Sequence, residues 1–418
     1  MRRIGHFRGM TANQVGSRRG RKLSRLAGAL ALVAATAATA GQFEPPPSYS
    51  PAAALGPAWK GASYRVSSPV TSDGFLRHYT VRTGQGDFEV TGDQLMAARL
   101  EELAALKKLD EINVASQFGQ QAVKTGLSPV LLAGALITNP VGTTRNTIGG
   151  VGQFFGGVTS GLNNFGKSRD DPFASVTGQA RQKREIASAL GIDPYTDFSP
   201  LAARLDAVAG AGAAGSLAVA GAFMLTPGVA GLVASNANTA SSLGAMVKDY
   251  SSAQLMDIDR ERLARLGVDR ATADRLFANR YFTPVDDTAI VSALESLAGA
   301  GDLPALVSTA AGADSRATAY FIRRRIELTA AWRRRYGPIA GFADPDDLRF
   351  PVAKTANGLV GVYPIDALAW TPETARVLEG MTAAGRGAKT LAITGTATPL
   401  ARSRLKALGW TLEERTRL

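Results

Sequence analysis

The chain has 418 residues, of which 45% are hydrophobic and 20% charged, a composition typical of a folded protein with two or three domains. Its formal net charge of +12 is uneven, because residues 1–40 contain eight Arg and Lys and no acidic residue. The remaining 39 basic and 35 acidic residues leave a net charge of +4, which gives no reason to expect a nucleic-acid partner. Cysteine is absent, which excludes disulfides, thiol nucleophiles and thiolate metal sites.

The N-terminus has the pattern of a cleavable export signal. A basic region ending at Arg25 precedes an apolar run, Leu26–Ala35, and then small residues ending at Ala40. The run is shorter than the roughly 20 residues of a membrane-spanning helix. We therefore expect residues 1–40 to be a signal peptide cleaved after Ala40, and the mature chain to be periplasmic or secreted. The sequence leaves open whether export uses the general or the twin-arginine route. The alternative is that residues 1–40 are a basic tail on a cytosolic protein.

We expect residues 41–62 to be a proline-rich linker and residues 63–125 to be a β-meander followed by an amphipathic helix. Three short strands are predicted over Tyr64–Val70, Phe75–Arg82 and Asp87–Thr91, because turn-forming clusters separate them. Asp93 is predicted to cap the helix that follows.

Residues 126–250 are rich in glycine, alanine and other small apolar residues, with an ordinary amphipathic helix around Gln179–Leu190. Ala207–Val247 is an uncharged stretch of 41 residues that Pro227 and Gly228 interrupt. The stretch fits tightly packed core helices, and membrane insertion is the alternative.

Residues 251–337 predict a helical bundle from the spacing of their apolar residues, and residues 338–418 a small α/β domain. In the latter, Asn357-Gly358 is typical of a β-hairpin, and Thr371-Pro372 of a helix start. The expected fold class is therefore α+β and mainly helical, with a small N-terminal antiparallel meander, a central bundle with glycine-rich apolar segments and a small C-terminal α/β domain.

Several short segments match the sequence motifs of known sites but lack the structural context that those sites require. Residues 161–168 match a phosphate-binding loop, but Arg169–Pro172 disfavours the helix that must follow. His78 lies on a predicted strand, Ser403–Lys406 on a predicted helix surface, and an Asp cluster at residues 344–347 in a turn. We therefore predict no catalytic residue, no cofactor and no metal ligand.

Two Arg triplets are the strongest candidate binding site. They are predicted to lie on one helix, and the eleven residues from Arg323 to Arg334 are close to three helical turns. Trp332 and Tyr336 flank the second triplet. Such a stripe suits an anionic lipid headgroup, a phosphorylated glycan or an acidic envelope protein, whereas a solvated face with acidic neighbours is the alternative. The candidate anion-binding residues are Arg323, Arg324, Arg325, Arg333, Arg334 and Arg335.

These patterns favour a non-catalytic structural or interaction protein of the bacterial cell envelope. Two alternatives stay open. One is a membrane-inserting or membrane-associated protein that uses residues 207–247. The other is an envelope hydrolase with a carboxylate-based site, which paired acidic side chains with raised pKa values facing a pocket would favour.

Overall fold

The computed structural model of the chain describes residues 42–111, 178–210, 237–343 and 350–418, with only the backbone for 237–242. The fold is α+β and 53% helical, with several small sheets that include an antiparallel N-terminal sheet. The expected fold class is thereby confirmed. The glycine-rich loop at 161–168 and the Asp cluster at 344–347 lie outside the described residues.

The N-terminal sheet is an antiparallel meander centred on its third strand. Its strands are β1 (Tyr64–Val66), β2 (Thr71–Ser72), β3 (Arg77–Thr83) and β4 (Gly86–Thr91). β3 pairs with β4 over His78–Thr83, and also with β1 and β2. A short helix, α1 (Pro51–Leu55), and a 3₁₀ turn, Gly56–Trp59, precede the sheet. The first strand was predicted to extend to Val70, but β1 ends at Val66. The chain turns through Ser67–Val70 before it pairs again as β2.

The helices follow the predicted apolar periodicity closely. They are α2 (Asp93–Asp110), α3 (Gln179–Leu190), α4 (Ser199–Gly210), α5 (Ala237–Asp249), α6 (Ser252–Arg265), α7 (Arg270–Ala278), α8 (Pro284–Glu295), α9 (Leu303–Ala311) and α10 (Arg316–Tyr336). Gly92, not Asp93, occupies the cap position of α2, with a φ of 96° that favours glycine. Asp93 is the first helical residue, and its carboxylate is used elsewhere.

The C-terminal region is a five-stranded sheet with two crossover helices. Its elements are β5 (Gly341–Ala343), β6 (Val352–Thr355), β7 (Gly358–Tyr363), β8 (Ala367–Leu368), α11 (Pro372–Ala383), β9 (Ala388–Ile393), β10 (Thr396–Ala397), α12 (Pro399–Ala407) and β11 (Trp410–Glu413). The five-stranded sheet has the order β11-β9-β7-β6-β5, in which β7, β9 and β11 run parallel, and β8 and β10 form a separate parallel pair. The hairpin at Asn357-Gly358 and the helix start at Thr371 are as predicted.

Glycine is required at the hairpin. A Cβ on Gly358 would lie 2.0 Å from the carbonyl oxygen of Ala388, and its φ of +143° is one that side chains rarely adopt. The absence of a side chain therefore lets β9 come close to the start of β7.

Two buried apolar clusters meet along the longest helix. One joins α6–α10 with the C-terminal sheet, and the other joins the meander with α2, α3 and α4. Ile322 and Ile326 of α10 belong to the first cluster, whereas Tyr320 belongs to the second. The 21 residues of α10 thus contribute to both cores.

Among the described residues, no helix has the length and apolar character needed to cross a bilayer. Of the uncharged stretch 207–247, residues 211–236 lie outside the described part of the chain.

Candidate functional site

Asp93 and Asp366 form a carboxyl pair where the meander meets the C-terminal sheet. Asp93 opens α2 directly after β4, and Asp366 lies in the loop that leaves β7 at the carboxyl edge of the parallel strands. One Asp366 carboxyl oxygen, Oδ2, accepts hydrogen bonds from the backbone N–H of Arg77, at 3.1 Å, and of Asp93, at 2.9 Å. The Asp93 carboxylate accepts from the Arg77 guanidinium and the Tyr79 hydroxyl. The carboxyl pair therefore fastens β3 and α2 to the loop after β7.

Burial shifts the acid–base behaviour of this site. It raises the pKa of Asp366 well above its usual range, and the neighbouring Asp93 carboxyl raises this pKa further. Burial also raises the pKa of Asp93, against the opposing effect of Arg77. The pKa of the Tyr79 hydroxyl is raised by burial and by Asp93, so this group stays a proton donor at neutral pH. Asp366 is only 1% exposed, whereas Asp93 is half-buried.

A second group, called here the ion cluster, is a set of charged side chains buried between α2, the loop before α4, α8 and α10. Asp286, at the start of α8, is fully buried and pairs with Arg316 and Arg323 of α10. Burial alone would raise the pKa of Asp286, but these two guanidinium groups hold it at about 2. Asp286 is therefore an anion at neutral pH.

Arg99 of α2 and Asp197 extend the ion cluster towards the meander side. Arg99 pairs with Glu102 at 2.6 Å and with Asp197, and Asp197 also pairs with Arg316 at 3.1 Å. The two guanidinium groups lower the pKa of Asp197 although burial opposes them. One chain of ion pairs thus connects α2, the loop before α4, α8 and α10.

Asp193 is the member of this region that titrates near neutrality. Burial raises its pKa to about 7, with the nearby Asp286 as the second cause. Its carboxylate accepts from the Tyr195 N–H at 2.7 Å and from the Thr283 hydroxyl at 2.6 Å. These two hydrogen bonds lower its pKa without overcoming burial.

Both Arg triplets lie on α10, as the spacing predicted, but the helix gives them different environments. In the first triplet, Arg323 pairs with Asp286 and Glu327, and Arg324 with Glu327. Arg325 is buried. These three residues contribute to the interior of the protein, and anion binding by them stays a prediction.

The second triplet lies at the exposed end of α10, which we call the basic aromatic end: residues 332–336. Arg334 and Arg335 are exposed, and Tyr336 is 50% exposed. The Trp332 and Tyr336 rings lie 5.2 Å apart, and the Arg335 guanidinium lies 5.3 Å from the Tyr336 ring. Two of the Arg side chains are anchored, because Arg333 donates to the Ser296 carbonyl at 2.9 Å and Arg335 to the Arg417 carbonyl at 3.2 Å.

The remaining motifs occupy ordinary structural positions. His78 on β3 contacts the Thr91 hydroxyl at 3.0 Å and Asp73 at 3.4 Å. Ser403 and Lys406 are exposed on α12. In the described residues, no cluster of three or more His, Cys, Asp or Glu side chains has the arrangement of a metal site.

A small pocket of about 10 Å³, room for about one water molecule, opens between the starts of α6 and α8, and neither Asp93 nor Asp366 lines it. Asp259 on its wall has a pKa raised by burial, and it accepts from the Thr288 hydroxyl at 2.6 Å and from Arg262 at 2.8 Å. Its lining residues are Ser252, Leu255, Met256, Asp259, Pro284 and Asp287.

Sequence reasoning missed the carboxyl pair and the ion cluster. Asp93 and Asp366 are 273 residues apart, so no local motif links them. Asp286 had a local signal, since an acidic residue in the first turn after Pro284 is typical of a helix start. That signal does not indicate that Arg316 and Arg323 bind it. Comparison with protein-family models, curated proteins and solved structures gives no match to this chain.

Proposed function

We propose that this chain is an exported cell-envelope protein of interaction type, which binds an anionic membrane surface through the basic aromatic end of α10. The observation that carries the proposal is the exposure of Arg334, Arg335 and Tyr336 together at one helix end. Among the described residues, Tyr336 and Tyr250 are the large hydrophobic side chains that stay exposed, at 50% and 41%. The export pattern of residues 1–40 supports the location.

The side-chain chemistry favours a lipid surface over an acidic protein or a phosphorylated glycan. Trp and Tyr side chains partition to the headgroup level of a bilayer, where the ring is apolar and its polar edge stays hydrated. Each Arg near an anionic surface contributes about 1 kcal/mol of attraction. The exposed Tyr336 beside three arginines combines both contributions on one helix end, and Trp332 supports the Tyr336 ring from a partly buried position against the core.

The same arginines have a second effect, because cations in the last turn of a helix compensate its partial negative charge. A test must therefore separate surface binding from helix stability. The chain offers a control matched in charge: Arg82, Arg181 and Arg270 are exposed on β3, α3 and α7, where each forms a surface ion pair. Replacing these three by Gln removes the same charge from other surfaces.

The experiment is co-sedimentation with vesicles of phosphatidylglycerol and phosphatidylcholine, using chain purified from the cells that make it. The native chain is expected to sediment with anionic vesicles and not with pure phosphatidylcholine. The variant Arg333→Gln/Arg334→Gln/Arg335→Gln should lose this binding, and the Arg82/Arg181/Arg270 control should keep most of it. The N-terminal sequence of the same sample tests export, with Gly41 expected as its first residue.

A carboxylate-based hydrolase is the second candidate, and the raised pKa values of Asp93 and Asp366 are the observation that favours it. The 1% exposure of Asp366 and its two backbone hydrogen bonds favour a structural role for the pair instead. Membrane insertion by residues 207–247 stays an alternative prediction.

A further inference from the structure

The meander is attached to the C-terminal sheet by a compact set of hydrogen bonds around Asp366. The backbone N–H groups of Asp366 and Ala367 donate to the Phe75 carbonyl at 2.9 and 3.1 Å, and that of Ala369 donates to Gly74 at 3.0 Å. In the opposite direction, Asp366 Oδ2 accepts from the backbone of β3 and α2. The Asp366 side chain therefore contributes two hydrogen bonds of this contact, beside three between backbone groups.

The second carboxyl oxygen of Asp366 has an unusual environment. Oδ1 is buried, and no donor among the described residues reaches it. Asp366 Oδ2 lies 2.9 Å from the backbone nitrogen of Asp93, which makes the two carboxyl groups close neighbours, and two ionised carboxylates there are both acceptors and repel each other. A proton on one of them converts this repulsion into a hydrogen bond between the two side chains.

The charges around the pair are balanced when one proton is present. In the described residues, the titratable groups that act on it are Arg77 and Tyr79 from β3, Asp93 from α2 and Asp366 itself. One proton on the pair leaves a single carboxylate against the Arg77 cation, with Tyr79 neutral. Without that proton, the buried group carries a net negative charge. His78 and Asp73 contact each other at 3.4 Å, with both side chains partly exposed.

We infer that the carboxyl pair is a pH-sensitive clasp, in which a proton shared by Asp93 and Asp366 holds the meander against the C-terminal sheet and its loss loosens that contact. The direction follows from linkage. A carboxyl that binds its proton more tightly in the folded state gives a contact that is strongest at low pH. The contact weakens as the pH rises through the folded-state pKa of the pair, which burial and the second carboxyl have raised.

Hydrogen exchange of backbone amides, followed by mass spectrometry from pH 6 to pH 9 and corrected for intrinsic exchange rates, tests the clasp locally. Peptides covering residues 74–93 and 365–371 contain the amides of the contact. In the native chain, their protection is expected to fall at least about tenfold across this range. A peptide covering 284–295 reports global changes, including those caused by Asp193, and is the internal reference.

Asp366→Asn is the decisive variant. The Asn side-chain oxygen still accepts from the Arg77 and Asp93 amides, and its NH₂ group donates to Asp93 at every pH, as the shared proton does. Its two contact peptides are expected to stay protected up to pH 9. Asp87→Asn, an exposed carboxylate of the same meander, is the control and should keep the native pH profile.

Equal pH profiles for the native chain and Asp366→Asn would overturn the inference, as would a native profile that is flat relative to the reference peptide. If Asp366→Asn fails to fold, Asp93→Asn answers the same question, because it also removes the second carboxyl. That variant loses part of its bond to Arg77 and is expected to show weaker but pH-independent protection. A retained pH dependence in Asp93→Asn would overturn the inference equally.

Discussion

Asp193→Asn is expected to stabilise the protein at alkaline pH. Burial raises the Asp193 pKa from an ordinary value of 3.8 to about 7, so the folded state resists ionisation of this carboxyl. Because the folded-state pKa is the higher one, this cost is absent at low pH and grows as the pH rises from about 4 to about 7. Its upper limit above pH 8 is about 4 kcal/mol. The side chain is only half-buried, so solvent screening reduces that figure to about 3 kcal/mol.

The assay is urea unfolding of the native chain and of Asp193→Asn at pH 5, 6, 7 and 8. The stability advantage of the variant should grow by about 2 kcal/mol between pH 5 and pH 8. Any constant difference between an amide and a protonated carboxyl cancels in this comparison. Asp257→Asn, an exposed carboxylate on α6, is the control and should run parallel to the native chain. A constant difference between Asp193→Asn and the native chain at all four pH values would refute the reasoning.

Two further substitutions test the ion cluster and the loop after β9. Arg316→Met leaves Asp286 and Asp197 with fewer cations in the interior, and we expect a loss of about 3–5 kcal/mol in urea unfolding at pH 7; a loss below about 1 kcal/mol would contradict the assigned pairing. Gly395→Ala places a Cβ 1.9 Å from the Asp366 carbonyl oxygen. We therefore expect a loss of about 1–3 kcal/mol in the free energy of unfolding and faster hydrogen exchange of residues 365–371. Exchange of these residues at the native rate would contradict the close approach.

The elements of the fold were largely predictable because their signals are local. Apolar spacing located α3 and the helices of the bundle, and Asn357-Gly358 located the hairpin between β6 and β7. The two-residue strand β2 was missed, since its pairing with Arg77 and His78 depends on the turn between them. Asp93 was misinterpreted as a cap. A polar residue before a helix suits that role locally, but Arg77 and Tyr79 draw its carboxylate away from the helix end.

The sites were less predictable because they join distant segments. Arg323 and Arg324 have the pattern of a basic surface, and only the packing of α8 against α10 brings Asp286 to Arg323. The carboxyl pair depends on the meander meeting the loop after β7, which no pattern in either segment indicates. By contrast, the placement of both triplets on one helix was predicted from their spacing, but that spacing does not distinguish the exposed Arg334 and Arg335 from the buried Arg324 and Arg325.

Binding to anionic vesicles tests the central claim most directly. At about 1 kcal/mol for each arginine, the loss of three charges next to a membrane corresponds to roughly a hundredfold weaker binding. Because Arg333 and Arg335 already donate hydrogen bonds within the protein, the expected loss is smaller, but at least about tenfold. We predict this loss for Arg333→Gln/Arg334→Gln/Arg335→Gln at low salt, with a much smaller change for the Arg82/Arg181/Arg270 control. Equal vesicle binding by the two triple variants, or none by the native chain, would contradict the account.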